Sequence, residues 1–111
     1  MQIITDLEIL EQLKAEGAVF ILFGGKHCNV CHSLRPQLAS MLEQRFPEMR
    51  SVYIDCEASP EICAQHSVFS LPVVKVYIEG MIVTEDARAF SLSKLMQSIE
   101  RPYAMWKKSS K

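Results

Sequence analysis

The chain has 111 residues, 49% hydrophobic and 23% charged, with a formal net charge of −1. That length suits one domain, 1–111, with enough apolar material for a core that needs no staples. The near-neutral charge offers no electrostatic footprint for nucleic acid or an acidic membrane surface, and no apolar run approaches the roughly 20 residues of a membrane span.

The N-terminal MQIITDLEILEQ lacks a basic region and carries acids where a leader peptide is apolar, so the chain reads as cytoplasmic. Thr5-Asp6-Leu7-Glu8 fits a capping box with Thr5 as the cap, and Leu7, Leu10 and Leu13 continue a helical stripe closed by Gly17. Ala18–Phe23 (AVFILF) is a continuous apolar run, which predicts a strand buried on both faces; Gly24-Gly25 breaks it. A helix follows over 28–46, with Pro36 inside it as an expected kink and Pro47 ending it. Ser51–Asp55 (SVYID) is the next strand. Ser59-Pro60-Glu61 reads as the cap and first turn of a short helix reaching His66, a helix-end residue expected to satisfy a carbonyl.

Strand Val73–Ile78 (VVKVYI) follows Leu71-Pro72, and Glu79-Gly80 turns the chain into a short antiparallel strand, Met81–Thr84. Ser91 or Ser93 caps the last helix, which carries Leu92, Leu95, Met96 and Ile99. Pro102 is expected to interrupt it, leaving 102–111 as a tail with frayed Lys107, Lys108 and Lys111, and with Trp106 as a candidate to pack back. The order (β)αβαβαββα predicts an α/β fold. Its βαβ part is parallel and its final hairpin antiparallel, so the sheet is mixed, with helices on both faces.

The chemistry concentrates in KHCNVCHSLRP, residues 26–36. Cys28 and Cys31 can be read as a working dithiol, as part of a metal site, or as packing in a core helix. Cys28 follows a strand and a glycine turn and opens a helix. Unpaired N–H groups and partial positive charge there stabilise a thiolate. Lys26, His27 and His32 add to this if their side chains lie near the sulfur. Cys31 sits one turn on, beside Cys28. The outer sulfur would attack and the inner one would resolve the mixed disulfide. The set His27, Cys28, Cys31, His32 could bind zinc, but adjacent residues on a helix diverge and zinc wants tetrahedral convergence, so no metal is expected. Cys56 and Cys63, seven apart, read as core or loop positions, with a regulatory thiol as the alternative. Phe69 and Phe90 read as core or rim, and Arg88 as a solvated charge.

Taken together, the strand AVFILF, CNVC, Pro36 five residues past Cys31, the strand VYID, Leu71-Pro72 before VVKVYI, and Glu79-Gly80 resemble the thioredoxin family over roughly residues 3 to 101. The resemblance implies a thioredoxin-like fold. It also implies that Pro72 is cis against the dithiol and that the Leu71 backbone pairs with extended substrate segments. Several positions depart from the family pattern. His27 stands where tryptophan is usual, and Asn29-Val30 where Gly-Pro is usual. Leu22 replaces a buried acid, Ser51 stands near its partner lysine, and Arg88 replaces a glycine. His27, Asn29, Val30 and His32 are therefore the expected tuning residues, and water, His27 or His32 would handle the proton of Cys31.

The function expected is a thiol–disulfide oxidoreductase without a cofactor. Its expected partners are protein disulfides and an electron-donating reductase, with the chain a monomer that binds no nucleic acid or membrane. Cys28 is the nucleophile, Cys31 the resolving thiol, and Leu71 and Pro72 the substrate ledge. The alternative is a thioredoxin-fold binding module with a vestigial or regulatory dithiol.

Overall fold

The computed structural model describes residues 1–87 and 91–109. Arg88, Phe90 and Lys111, each assigned a place from the sequence, lie outside the described residues. In chain order the elements are β1 (Gln2–Ile3), α1 (Leu7–Ala15), β2 (Ala18–Gly24), α2 (Asn29–Arg45), β3 (Arg50–Asp55), α3 (Pro60–Gln65), β4 (Val73–Ile78), β5 (Met81–Ala87) and α4 (Leu92–Ser109). They form one five-stranded sheet in the order β1-β3-β2-β4-β5. β3 runs parallel to β1 and β2, while β4 is antiparallel to β2 and β5. This is the mixed sheet that the element order predicts, with the arrangement that the resemblance to the thioredoxin family implies.

The central strand shows why. Every residue of β2 is buried, because its alternating side chains serve two cores. Ala18, Phe20 and Leu22 join Leu38 and Leu42 of α2 and Leu95, Met96 and Ile99 of α4. Val19, Ile21 and Phe23 join Leu10 of α1 and Ile62 and Cys63 of α3. Burying each such side chain is worth about 1.5–3 kcal/mol. Together they fix the register of the strand that leads into the cysteine turn.

Three boundaries differ from the sequence reading. Asp6, not Thr5, caps α1, its carboxylate accepting from the Ile9 N–H at 3.1 Å. β5 continues past Thr84 to Ala87, because the pairing with β4 runs on to Val73. Pro102 does not end the last helix, so 102–109 is helix rather than tail. Proline cannot donate to the carbonyl four residues back, but the Thr84 hydroxyl lies 3.4 Å from that Ser98 carbonyl and 3.3 Å from Ser98 Oγ, so its one proton is shared between them. The continuing turns then dock. Tyr103 meets the Phe46 ring edge-on at 4.9 Å, Trp106 Nε1 donates to Glu79, and Lys107 pairs with Glu48. Ser91 supplies the cap, its hydroxyl accepting from the Lys94 N–H.

Candidate active site

The cysteine pair lies where β2, the middle strand, gives way to α2. Gly24 and Gly25 are both buried there, and close approach explains the second glycine. A β-carbon on Gly25 would lie 2.7 Å from a Glu57 carboxylate oxygen and 3.1 Å from Leu71 Cδ1. The turn is thus held between the segment after β3 and the segment before β4. The Cys28 N–H donates to the Gly25 carbonyl at 3.1 Å, and the Cys56 N–H donates to Gly24 at 2.8 Å.

Cys28 is the N-cap of α2, and its sulfur accepts from the Cys31 N–H at 3.2 Å. That is one of the orphan amides at a helix start, aimed at the atom that would carry negative charge. Cys28 is half-buried and Cys31 fully buried. The two sulfurs are bonded as a disulfide, with the Cα atoms 5.3 Å apart. The Leu71–Pro72 peptide bond is cis, Leu71 is half-buried and Pro72 buried. Asn29 and Val30 are exposed, Val30 at 56%.

The flanking histidines have partners of their own. The Glu57 carboxylate accepts from the His27 backbone N–H at 2.8 Å and meets His27 Nδ1 at 2.6 Å. These two hydrogen bonds hold the Glu57 carboxyl below its usual range. His32 reaches back over the turn, Nε2 lying 2.8 Å from the Lys26 carbonyl. As a donor there, that nitrogen is occupied. Both histidines brace the turn from outside. Among the described residues, no cluster of three or more His, Cys, Asp or Glu is arranged to hold a metal.

Some placements depart from the sequence expectation. Cys56 and Cys63 are bonded in a second disulfide, rather than being independent core or loop residues. It joins the end of β3 to the middle of α3, with Cys63 inside the second core. The strand neighbour of Leu22 is Tyr53, while Ser51 pairs with Phe20. The position beside the missing acid is therefore a tyrosine. Phe69 is 83% exposed, so it is not in the core; its neighbour Val68 takes the core place. His66 donates from Nδ1 to the Ile62 carbonyl at 2.8 Å, as its helix-end position suggested.

Sequence reasoning missed Tyr53 and Glu57. Tyr53 carried little, since only strand register sets it opposite Leu22. Glu57 carried none, because only the fold brings it to His27.

A family model described as thioredoxin matches residues 2–101. A thioredoxin-like protein of Bacillus subtilis, YdfQ, is 32% identical over 87 residues, which cover 78% of this chain and 77% of that protein. A Listeria monocytogenes thioredoxin is 30% identical over 80 residues, covering 72% and 77%. Among solved structures, oxidised mitochondrial thioredoxin 3 of Saccharomyces cerevisiae superposes with a TM-score of 0.79 at 23% identity, covering 90% of this chain and 93% of that one, a likeness of fold.

Proposed function

The chain belongs to the thioredoxin family, whose fold and cysteine pair support a thiol–disulfide oxidoreductase kind of activity, and from that premise we propose that it reduces protein disulfides. The observation that carries the proposal is the asymmetry of the pair. A half-buried sulfur at a helix N-cap is bonded to a fully buried one three residues on.

In the reduced chain the Cys28 thiolate attacks one sulfur of a substrate disulfide. A mixed disulfide forms and the substrate's other sulfur leaves as a thiolate. The Cys31 thiolate then attacks Cys28 Sγ. The Cys28–Cys31 bond forms, the bond to substrate breaks, and the substrate departs with both sulfurs reduced. An electron-donating reductase returns Cys28–Cys31 to the dithiol.

Leu71 and Pro72 form the ledge against which an extended substrate segment lies, and Val30 at the start of α2 is exposed. His27, Asn29, Val30 and His32 tune the site, the two histidines by bracing the turn. The protein works as a cytoplasmic monomer. No helix among the described residues is long and apolar enough to cross a membrane.

Reduction of a protein disulfide with dithiothreitol as electron source tests this reading. Wild type should turn over well above reagent background, Cys28→Ser should not, and Cys31→Ser should trap the substrate as a mixed disulfide. Turnover at background by wild type would sink it. A second reading, a binding module using the same face, draws on Val30 at 56% and Phe69 at 83% exposure. It requires binding that survives replacement of Cys28.

A further inference from the structure

Resolution of the mixed disulfide needs a thiolate at Cys31, the most enclosed sulfur of the site. A charge there is costly without a hydrogen bond. The sheet face beneath α2 is apolar around it: Phe20, Leu22, Val74 and Val76 are all fully buried. Tyr53 brings a hydroxyl to that face beside Gly24. The Tyr53 hydroxyl oxygen lies 2.8 Å, and Cys31 Cβ 3.0 Å, from the point a β-carbon on Gly24 would occupy. Glycine at position 24 therefore lets phenol and cysteine crowd one spot. Tyr53 is 5% exposed, so the phenol keeps a narrow opening to solvent.

The ring is also held from above. Arg35 lies one turn beyond Cys31 on α2, and its guanidinium sits 4.3 Å from the Tyr53 ring centre. Such a contact fixes the ring and polarises it.

We propose that the Tyr53 hydroxyl is the proton relay for Cys31 during resolution. The inference rests on the dithiol reading above. With substrate joined to Cys28, the Cys31 S–H proton passes to the phenol oxygen as the phenol's own proton leaves to water. The phenol stays neutral, and its new O–H donates to the Cys31 thiolate. That sulfur attacks Cys28 Sγ. The electron pair of the broken bond leaves with the substrate sulfur, which takes its proton from water. Burial and the Asp55 carboxylate push the phenol pKa up, with Glu57 adding to them, while Arg35 opposes. The group therefore remains a donor at neutral pH. Asp55, Glu57 and Arg35 are the charged residues that bear on it.

Tyr53→Phe deletes the one oxygen and keeps the ring under Arg35. Single-turnover kinetics should separate the steps. In a Cys31→Ser background, attack by Cys28 on a protein disulfide should proceed at the same rate with and without the Tyr53→Phe substitution. In the full dithiol protein, resolution should slow about ten- to a hundred-fold near neutral pH in Tyr53→Phe. The deficit should shrink as pH rises toward about 9, where solvent base removes the thiol proton without help. Equal resolution rates across that range would overturn the relay and leave the dithiol reading standing. A slowed rate with an unchanged pH profile would assign Tyr53 a structural role and overturn the relay as well. Absence of any mixed disulfide in the Cys31→Ser protein would overturn both readings together.

Discussion

The two disulfides close at the ends of adjacent strands, and each joins a half-buried sulfur to a buried one, yet their surroundings differ. Cys28 caps α2, a helix of 17 residues, and receives the Cys31 amide on its sulfur. Cys56 lies in the turn after β3, and Cys63 sits within the six-residue α3, its carbonyl already accepting from the His66 and Val68 amides. Asp55 and Glu61 flank that second pair in sequence, while the Glu57 carboxylate is held by His27 on the turn of the first. A helix start stabilises thiolate, whereas neighbouring carboxylates oppose it. Burial class alone would not tell the two pairs apart; the backbone dipoles do. Under the proposed function, the first pair opens during turnover and the second stays closed.

The strongest way to break that contrast is by substitution. Cys28→Ser should reduce protein-disulfide turnover to reagent background. The double variant Cys56→Ser, Cys63→Ser should keep most of the wild-type rate, since in the proposed mechanism neither sulfur exchanges with substrate. If the second pair proved as necessary as the first, the division of labour would be wrong. Graded reduction tests the same point by counting thiols. Two should appear at Cys28 and Cys31 before the other two do, as differential alkylation and mass spectrometry would record. The stability effect is next in size. The second disulfide closes a loop with a sequence separation of seven, for which chain entropy gives about 2 kcal/mol. Denaturant unfolding of the oxidised double variant should show that loss. An unchanged midpoint would mean that the bond adds no constraint.

The contrast also marks what the sequence could reveal. Signals confined to a few neighbouring residues were readable: AVFILF as a doubly buried strand, the cysteine spacing at a strand-to-helix turn, and Glu79-Gly80 as the hairpin turn. Features needing partners distant in sequence were hidden. Pro102 looked like a stop because nothing nearby in sequence supplies its lost hydrogen bond; Thr84 does so in part from β5. Cys56 and Cys63 looked independent because pairing depends on how the turn after β3 meets α3. Tyr53 became visible only once strand register set it opposite Leu22.

The smallest expected effect sharpens the comparison through pH. His66 lies three residues beyond Cys63 and is 6% exposed. Its Nδ1–H donates to Ile62, leaving Nε2 to accept from Lys14 Nζ at 2.9 Å. Lys75 Nζ donates to the His66 carbonyl, and the Glu11 carboxylate stands 3.6 Å from Nε2. Burial, helped by the Lys14 and Lys75 cations, lowers the His66 pKa in the folded chain, although the Ile62 hydrogen bond and Glu11 oppose the shift. Below the unfolded value near 6.5 the unfolded chain binds a proton that the native chain holds off. Stability therefore falls as pH drops from about 7 toward the lowered folded value, and is fully retained only above about 7. The loss should be smaller than that from removing the second disulfide. In His66→Gln, urea midpoints measured across the same pH range should fall less steeply than in wild type, while the pH profile of disulfide reduction stays as it was. Parallel slopes in the two proteins would remove His66 as the cause. A changed activity profile would mean that the α3 side of the molecule reaches the dithiol after all.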